Sequence, residues 1–298
     1  MFHSILVPLD GSTLAEQALP LAATVAEQSK ASLSLAVVHP WGPAEDAPRP
    51  GTRADRELRE DEGTYLNRLM QAVASAYRIP VCEAVLDGAA TGRALVEYAR
   101  HRNIDLVVAS THDHRALGRF LSSGVARHLA HHVQASVLFI KPQAGPLPDS
   151  PGGFRRVLVA LDGSPGSEAA LLPGAALAAG ENAVITLVRV IAGSGEPLAR
   201  VQAEAESHLG RLAPRLRRRG CQVQTLVLHA DSAAEAILSY AAREGTDLLA
   251  LTTRQRGWAA RTLFGSVADA VIHQATVPVL VCHATSQHAS TIDPVPVR

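Results

Sequence analysis

With 298 residues, 47% of them hydrophobic, the chain is long enough for two domains of ordinary size, each with its own core. Lys and Arg total 28 and so do Asp and Glu, so the cationic excess of a general nucleic-acid or anionic-membrane binder is missing. The opening MFHSILVPLDGS has no basic region before a long apolar one, and no window reaches about 18 consecutive apolar residues. Neither a signal peptide nor a membrane span is therefore expected. Cys82, Cys221 and Cys282 are odd in number, far apart and set in strand-like text. They read as buried free thiols of a reducing cytoplasm, not as a disulfide framework or a metal site.

The first half alternates strand and helix. An apolar run, Ile5–Leu9, ends at Asp10-Gly11-Ser12 and passes into a helix over Thr13–Ser29, with Thr13 and Glu16 spaced as a capping box. Ser12 is placed to cap that helix as well. Ser32–His39 is the second strand, followed by a Pro- and Gly-punctuated loop from Pro40 to Gly51. A long amphipathic helix presents Leu58, Tyr65, Leu66, Leu69, Met70, Val73 and Tyr77 on one face, which reads as core. Then come strand Val81–Leu86, helix Ala90–His101, strand Asp105–Ala109, a polar loop over Ser110–Ser123, a helix through Val133 and strand Val137–Ile140.

The second half repeats this order. Val157–Leu161 ends at Asp162-Gly163-Ser164, with Pro165 suited to the first helical position. The helix from Ser164 is followed by strand Ala183–Val190, a helix through Arg219, strand Gln222–Leu228, helix Ala233–Arg243 and strand Asp247–Leu251. A loop, helix Val267–Gln274 and strand Val279–Cys282 complete it. Asp10 to Asp162 is a step of 152, His39 to Arg189 one of 150, and Asp105 to Asp247 one of 142. Most of the shortening thus falls after the second strand, where the first half carries its Pro-rich loop. Four prolines and three glycines in the thirteen residues Lys141–Gly153 make a linker, and Ala284–Arg298 reads as a disordered tail. The expected domains are residues 1–141 and 154–283, joined by 142–153.

Strand–helix alternation with short connections implies α/β domains, each an open, doubly wound, five-stranded parallel sheet. Such sheets bind ligands outside the carboxyl ends of the strands, where strand order reverses. A 3-2-1-4-5 order puts Asp10 opposite the loop after Ala109, and Asp162 opposite the loop after Leu251. Both aspartates also suit plain turn or cap duty.

The second of those loops, Thr252–Val267, carries Arg254, Arg256 and Arg261 and enters its helix at Gly265-Ser266. Free N–H groups and the helix dipole favour an anion there, and a glycine lets it come close. An ordinary Gly-Ser helix start with solvated arginines fits the same text. The first loop also ends in small residues, Ser122-Ser123-Gly124, but Asp113 opposes an anion. His128, His131 and His132 share one helix and read as a solvated helix end in preference to a metal site. Arg215 and Arg217–Arg219 suit a helix C-terminus.

Taken in order and twice over, these features resemble the universal stress protein family. They are Asp-Gly-Ser after the first strand, Asp105-Leu106-Val107-Val108 and Asp247-Leu248-Leu249 leading the fourth, Gly265-Ser266-Val267-Ala268, and the last strands after Val137 and Pro278. The resemblance covers about residues 2–141 and 154–283. It implies a tandem member with two Rossmann-like, adenine nucleotide alpha hydrolase-like domains packed as a pseudo-dimer, their last strands covering one another. A further homodimer fits the same resemblance. ATP-binding members carry Gly-x-x-Gly, nine residues, then Gly-Ser. Those glycines fall on Thr252, Gln255 and Gly265, of which Gly265-Ser266 matches, and in the first half on Ser110, Asp113 and Ser123, where none matches. The family's basic residue falls on Arg254 and His112, its adenine-side aspartate on Asp162 and Asp10, and its second-strand contact on Val190, with Pro40 departing from it. The resemblance thus marks Asp162, Val190, Thr252, Arg254, Gln255, Gly265, Ser266 and Val267 as nucleotide-binding candidates, with Asp10, His112, Ser123 and Gly124 in the first half.

The leading expectation is a cytoplasmic, regulatory stress-response module, not a metabolic enzyme, that binds ATP more tightly in its second half. A structural or interaction protein of the same family with degenerate pockets is the alternative. A slow nucleotide hydrolase is a third, without an evident base or metal set in the sequence.

Overall fold

A computed structural model of the chain describes residues 2–40, 48–110, 123–141, 153–178, 183–192, 196–253 and 265–283. Between Gly153 and Phe154 it divides into two compact units. In the first, the strands are β1 (Ser4–Leu9), β2 (Ser32–Pro40), β3 (Val81–Gly88), β4 (Leu106–Ser110) and β5 (Ser136–Ile140). The helices are α1 (Thr13–Glu16), α2 (Ala18–Ser29), α3 (Arg53–Ala76), α4 (Thr91–His101) and α5 (Ser123–His132). In the second, a 3-10 segment (Pro165–Ala170) and α6 (Leu171–Leu177) follow β6 (Arg156–Ala160). They lead into β7 (Val184–Ile191), α7 (Glu196–Arg217), β8 (Gln222–His229), α8 (Ala233–Arg243), β9 (Leu248–Thr253), α9 (Ser266–Gln274) and β10 (Val279–His283).

Sheet order is β3-β2-β1-β4-β5 in the first unit and β8-β7-β6-β9-β10 in the second, parallel within each unit. The central strands are buried almost throughout, as continuous apolar runs require when helices cover both faces. Strand order reverses between β1 and β4, and between β6 and β9. There the ladders are short: β1 pairs with β4 only through Ile5↔Leu106 and Leu6↔Val107. Pro8, which has no N–H to give, lies beyond that ladder, so a central strand tolerates it.

The aspartates that lead the fourth strands act at the opposite edge of each sheet. Asp105 accepts the backbone N–H groups of His3 at 2.7 Å and Ser4 at 3.2 Å. Asp247 accepts those of Arg155 at 2.7 Å and Arg156 at 2.9 Å. Each carboxylate fastens the start of the first strand to the start of the fourth, which makes this signature a structural one.

Several expectations need correcting. The helix expected over Thr13–Ser29 breaks at Gln17 into α1 and α2. Pro20 lacks an N–H, and its ring would strike the carbonyl four residues back, at Glu16. Ser12 alone caps α1, accepting from the Ala15 N–H at 3.1 Å, so the Thr13–Glu16 box does not form. The helix expected from Ser164 starts as a 3-10 segment, and α6 carries Pro173. Tyr77 has left the helix, with φ −128°. Cys282 is buried, but Cys82 and Cys221 are only half-buried: Cys82 lies on β3 and Cys221 just before β8, the outermost strands of their sheets. None of the three is in a disulfide.

The repeat offset also changes. Ser4 faces Ser32 and Arg156 faces Val184, both partners 152 residues further on. Val81 faces Leu33 and Val223 faces Ile185, which sets the β3-to-β8 step at 142. His39 therefore corresponds to Ile191 and not to Arg189, Val38 to Val190, and Val37 to Arg189. The whole ten-residue difference lies between β2 and β3. The polar letters of His39 and Arg189 suggested a false match that the hydrogen-bond register removes.

Candidate functional site

Each unit builds its crevice on the Asp-Gly-Ser turn that ends the first strand. Asp10 Oδ1 accepts from the Ser12 N–H at 2.9 Å and its hydroxyl at 2.5 Å, and Asp162 Oδ1 does the same with Ser164 at 2.8 and 2.5 Å. Ser164 in turn caps the 3-10 segment through the Ser167 N–H at 3.3 Å. Gly11 and Gly163 sit at φ +79° and +85°, the left-handed region that favours glycine. One oxygen of each aspartate is therefore committed to the turn. In the first unit the other, Oδ2 of Asp10, is buried and has no hydrogen-bond partner among the described residues.

Asp10 also lines a small, largely apolar cavity with Pro8, Leu9, Val38, Thr91, Leu95 and Val125. The hydroxyl of Tyr65, on α3, is likewise buried without a hydrogen-bond partner among the described residues. Burial, then the nearby Glu16 and Asp10 carboxylates, push its phenol up from the ordinary value. Glu16 pairs with Arg68 at 3.2 Å. In the second unit Glu168 meets His208 at 3.4 Å and Arg215 at 2.8 Å, so Arg215 is tied down and not simply solvated. Leu66, Leu69 and Val73 of α3 bury the stripe that Leu209, Leu212 and Leu216 of α7 bury 143 residues later. His208 thus stands where Tyr65 stands.

The second crevice differs at its turn. A Cβ on Gly163 would lie 2.6 Å from Cζ of Arg189, so this guanidinium packs flat against the Asp162-Gly163 turn. At Gly11 the same test meets no atom within 4 Å. Arg189 was missed in the sequence because the offset of 150 matched it to His39. Continuing the register from Ala160↔Val188 puts Asp162 beside Val190, and from Val159↔Ala250 puts Leu161 beside Thr252. Asp162, Val190 and Thr252 thus share one end of the sheet. Thr252 belongs to β9, however, and Ser110 to β4, so both loops start later than expected.

Gly265 is the N-cap of α9 and supplies no side-chain cap. Ser266 and Val267 open the helix, whose first N–H groups have no partner within the helix. Among the described residues a Cβ on Gly265 would meet nothing within 4 Å. In the first unit Ser123 and Gly124 open α5. Arg254, Gln255 and His112 lie outside the described residues, as do Asp113, Arg256 and Arg261. His128 and His132 of α5 stack with ring centroids 4.1 Å apart. Among the described residues no group of three His, Cys, Asp or Glu is arranged to hold a metal ion. No helix among them is long and apolar enough to cross a membrane.

One buried constellation escaped the sequence reading. His39, fully buried at the end of β2, has Nδ1 2.8 Å from Glu62 Oε2 and Nε2 3.0 Å from Asp55 Oδ1. Asp55 also accepts the Gly51 N–H at 3.0 Å, and Thr52 caps α3 through the Asp55 N–H at 3.2 Å. The Gly51 hydrogen bond, ahead of the one from His39 and the charge of Arg59, holds Asp55 below the usual carboxylate range. Burial pushes Glu62 up, against the pull of His39 and Arg59. Thr52-x-x-Asp55 is a legible capping signature. The meeting with His39 is not legible, because it joins a strand to a helix across residues 41–47.

The model of the universal stress protein family matches residues 1–141 and again 153–283. A universal stress protein of Mycobacterium tuberculosis is 28% identical over 295 residues, covering 94% of this chain and 96% of that one. One from Methanocaldococcus jannaschii is 25% identical over 142 residues, 47% of this chain and 83% of that protein. Among solved structures, a universal stress protein from Archaeoglobus fulgidus superposes with TM-score 0.72 at 17% identity, covering 95% of this chain and 98% of that one. A further one from Pseudomonas aeruginosa gives 0.65 at 16%, covering 94% and 93%. The turn, the sheet order and the family's own model agree in both halves, and the chain belongs to the universal stress protein family.

Proposed function

We propose that the chain is a regulatory stress-response module, not a metabolic enzyme, and that it takes up an adenine nucleotide, ATP, in the crevice of its second unit. The observation that carries this is the start of α9. Gly265 leaves the first turn's N–H groups uncapped by a side chain, and among the described residues nothing stands within 4 Å of where its Cβ would be. A phosphate oxygen has room to reach backbone donors there, with the helix dipole in its favour. Asp162 and Val190, side by side across the sheet, are the adenine-side contacts, with Ser266 and Val267 at the phosphate end. Thr252, Arg254 and Gln255 flank that end in the sequence. Asp10, His112, Ser123 and Gly124 are the weaker first-half set, with Asp113 set against a phosphate.

The reading of a structural or interaction protein draws on Arg189. A guanidinium already packed on the Asp162-Gly163 turn narrows the second crevice on its adenine side. Calorimetric titration of ATP into the full chain separates the two. Binding that Gly265→Val removes supports the nucleotide reading, and no heat from the parent chain overturns it. Residues 1–141 and 154–283 are proposed as the two domains. Their internal pairing through the last strands also stays a proposal, resting on the tendency of exposed strand edges to pair. Cysteine pairs placed in 136–140 and 279–283 test it by crosslinking, and no crosslink in any register rejects it.

A further inference from the structure

We propose that His39, Asp55 and Glu62 form a proton-operated latch that fastens the first turns of α3 to the carboxyl end of β2 and loosens as pH rises. The geometry fixes a proton count. An ionised carboxylate only accepts hydrogen bonds, yet both ring nitrogens of His39 face one, at 2.8 and 3.0 Å. A neutral imidazole has a single N–H, so its second nitrogen would point a lone pair at an acceptor. One further proton must therefore sit in the cluster. Asp55 already takes the Gly51 N–H and is held ionised, which leaves that proton between Nδ1 of His39 and Oε2 of Glu62.

The charged surroundings resist its loss. From α3, Arg59 lies 3.6 Å from Asp55, and it also reaches Asp87 of β3 at 2.6 Å. Asp87 is the register partner of His39. Among the described residues nothing from β1, α2 or α4 pairs with His39, and β1 ends at Leu9, opposite Val37. Without the shared proton, the two largely buried carboxylates of Asp55 and Glu62 would have only a half-exposed guanidinium, shared with Asp87, to offset them, a costly arrangement.

The second unit shows that packing does not need this cluster. By register His39 corresponds to Ile191, and by the common helix stripe Asp55 and Glu62 correspond to Leu198 and Ala205. Replacing a buried ionic group by apolar side chains is often neutral or stabilising, so the ionic version adds a response to protons and not mere cohesion. The latch also adjoins the first crevice. Val38, next to His39, lines the cavity there, and α3 carries Tyr65.

The sign follows from linkage. Burial raises Glu62 in the folded state, so its share of the stability is complete at low pH and is lost as pH climbs through the raised value. Asp55 is lowered, so its share is lost only on acidification. The latch is closed between these limits. Amide hydrogen exchange on the full chain from about pH 5 to about pH 9, corrected for intrinsic rates, tests this. Protection over residues 53–62 should fall by up to about tenfold per pH unit until the closed form itself gives up the shared proton and then level off, while the start of α7 stays level throughout. In Glu62→Gln the amide donates to Nδ1 of a neutral imidazole, whose Nε2–H still donates to Asp55, so the slope should vanish. The triple change H39I/D55L/E62A, which installs the residues of the second unit, should be level too, and Glu62→Gln decides alone if that variant misfolds. An equal slope in Glu62→Gln and the parent, or no slope in the parent, overturns the latch.

Discussion

The two crevices share one turn and differ in what lies against it. In the first unit the ground above Gly11 is open, Asp10 Oδ2 is buried without a partner among the described residues, and the lining is largely apolar. In the second the Arg189 guanidinium lies on Gly163. The difference traces to one position on the second strand, Val37 against Arg189. A duplicated turn thus keeps its backbone chemistry while a neighbouring strand resets the charge of the pocket above it.

The sharpest way to break this comparison is Gly265→Val. Two lost charge-assisted hydrogen bonds at about 1.5–3 kcal/mol each would lower ATP affinity at least about tenfold. The new side chain starts in open space, so Tm should hold within about a degree or two. Unchanged affinity would return α9 to the role of an ordinary helix start.

Next in size is the pair Gly163→Ala and Gly11→Ala. Both put an L side chain at positive φ, at about 1–2 kcal/mol. Only the first also meets a side chain, at 2.6 Å from Arg189 Cζ, so Gly163→Ala should lower Tm further. Arg189→Val in that background should recover the excess. Equal melting losses for the two glycines would mean that Arg189 does not rest on the turn in solution.

Asp162→Asn keeps an oxygen for Ser164 and alters the rest of the carboxylate. The preference for ATP over GTP should drop roughly two- to tenfold, one hydrogen bond's worth, with phosphate affinity nearly intact. Competition titrations with both nucleotides read this directly. A parallel loss for ATP and GTP would place Asp162 at the phosphates or in the turn alone.

The smallest effect belongs to α5. Burial, and then the neighbouring His132, hold His128 below the ordinary imidazole range. A depressed value means stability present above the unfolded value of about 6.5 and lost as pH falls below it. Its counterpart 142 residues on, in α9, is Ala270. Acidification should therefore speed amide exchange in α5 slightly more than in α9, and the reverse order would contradict the stacked pair.

Much of this was legible in advance. The apolar runs at Ile5–Leu9 and Val157–Leu161, the Asp-Gly-Ser turns and the alternation of strands and helices depend on local pattern, and they mark two parallel sheets; the order of the strands is seen only in the structure. The start of α9 at Gly265-Ser266 was legible for the same reason, since a helix start is a local signal. The breaks after α1 and before α6 were written in Pro20 and Pro173 but outweighed in the reading by the Ala- and Leu-rich text around them.

What the sequence by itself determined, then, is the succession of strands and helices and the Asp-Gly-Ser turns, because these follow from neighbours a few residues apart. Tertiary structure alone decided which residues meet across elements. The parallel register moved Arg189 from the place of His39 to that of Val37 and so set it on Gly163. Packing of α3 on β2 closed Asp55 and Glu62 around His39, residues 16 and 23 positions apart from it. Register and helix docking are settled by burying whole faces at once, and no short stretch of text contains that sum.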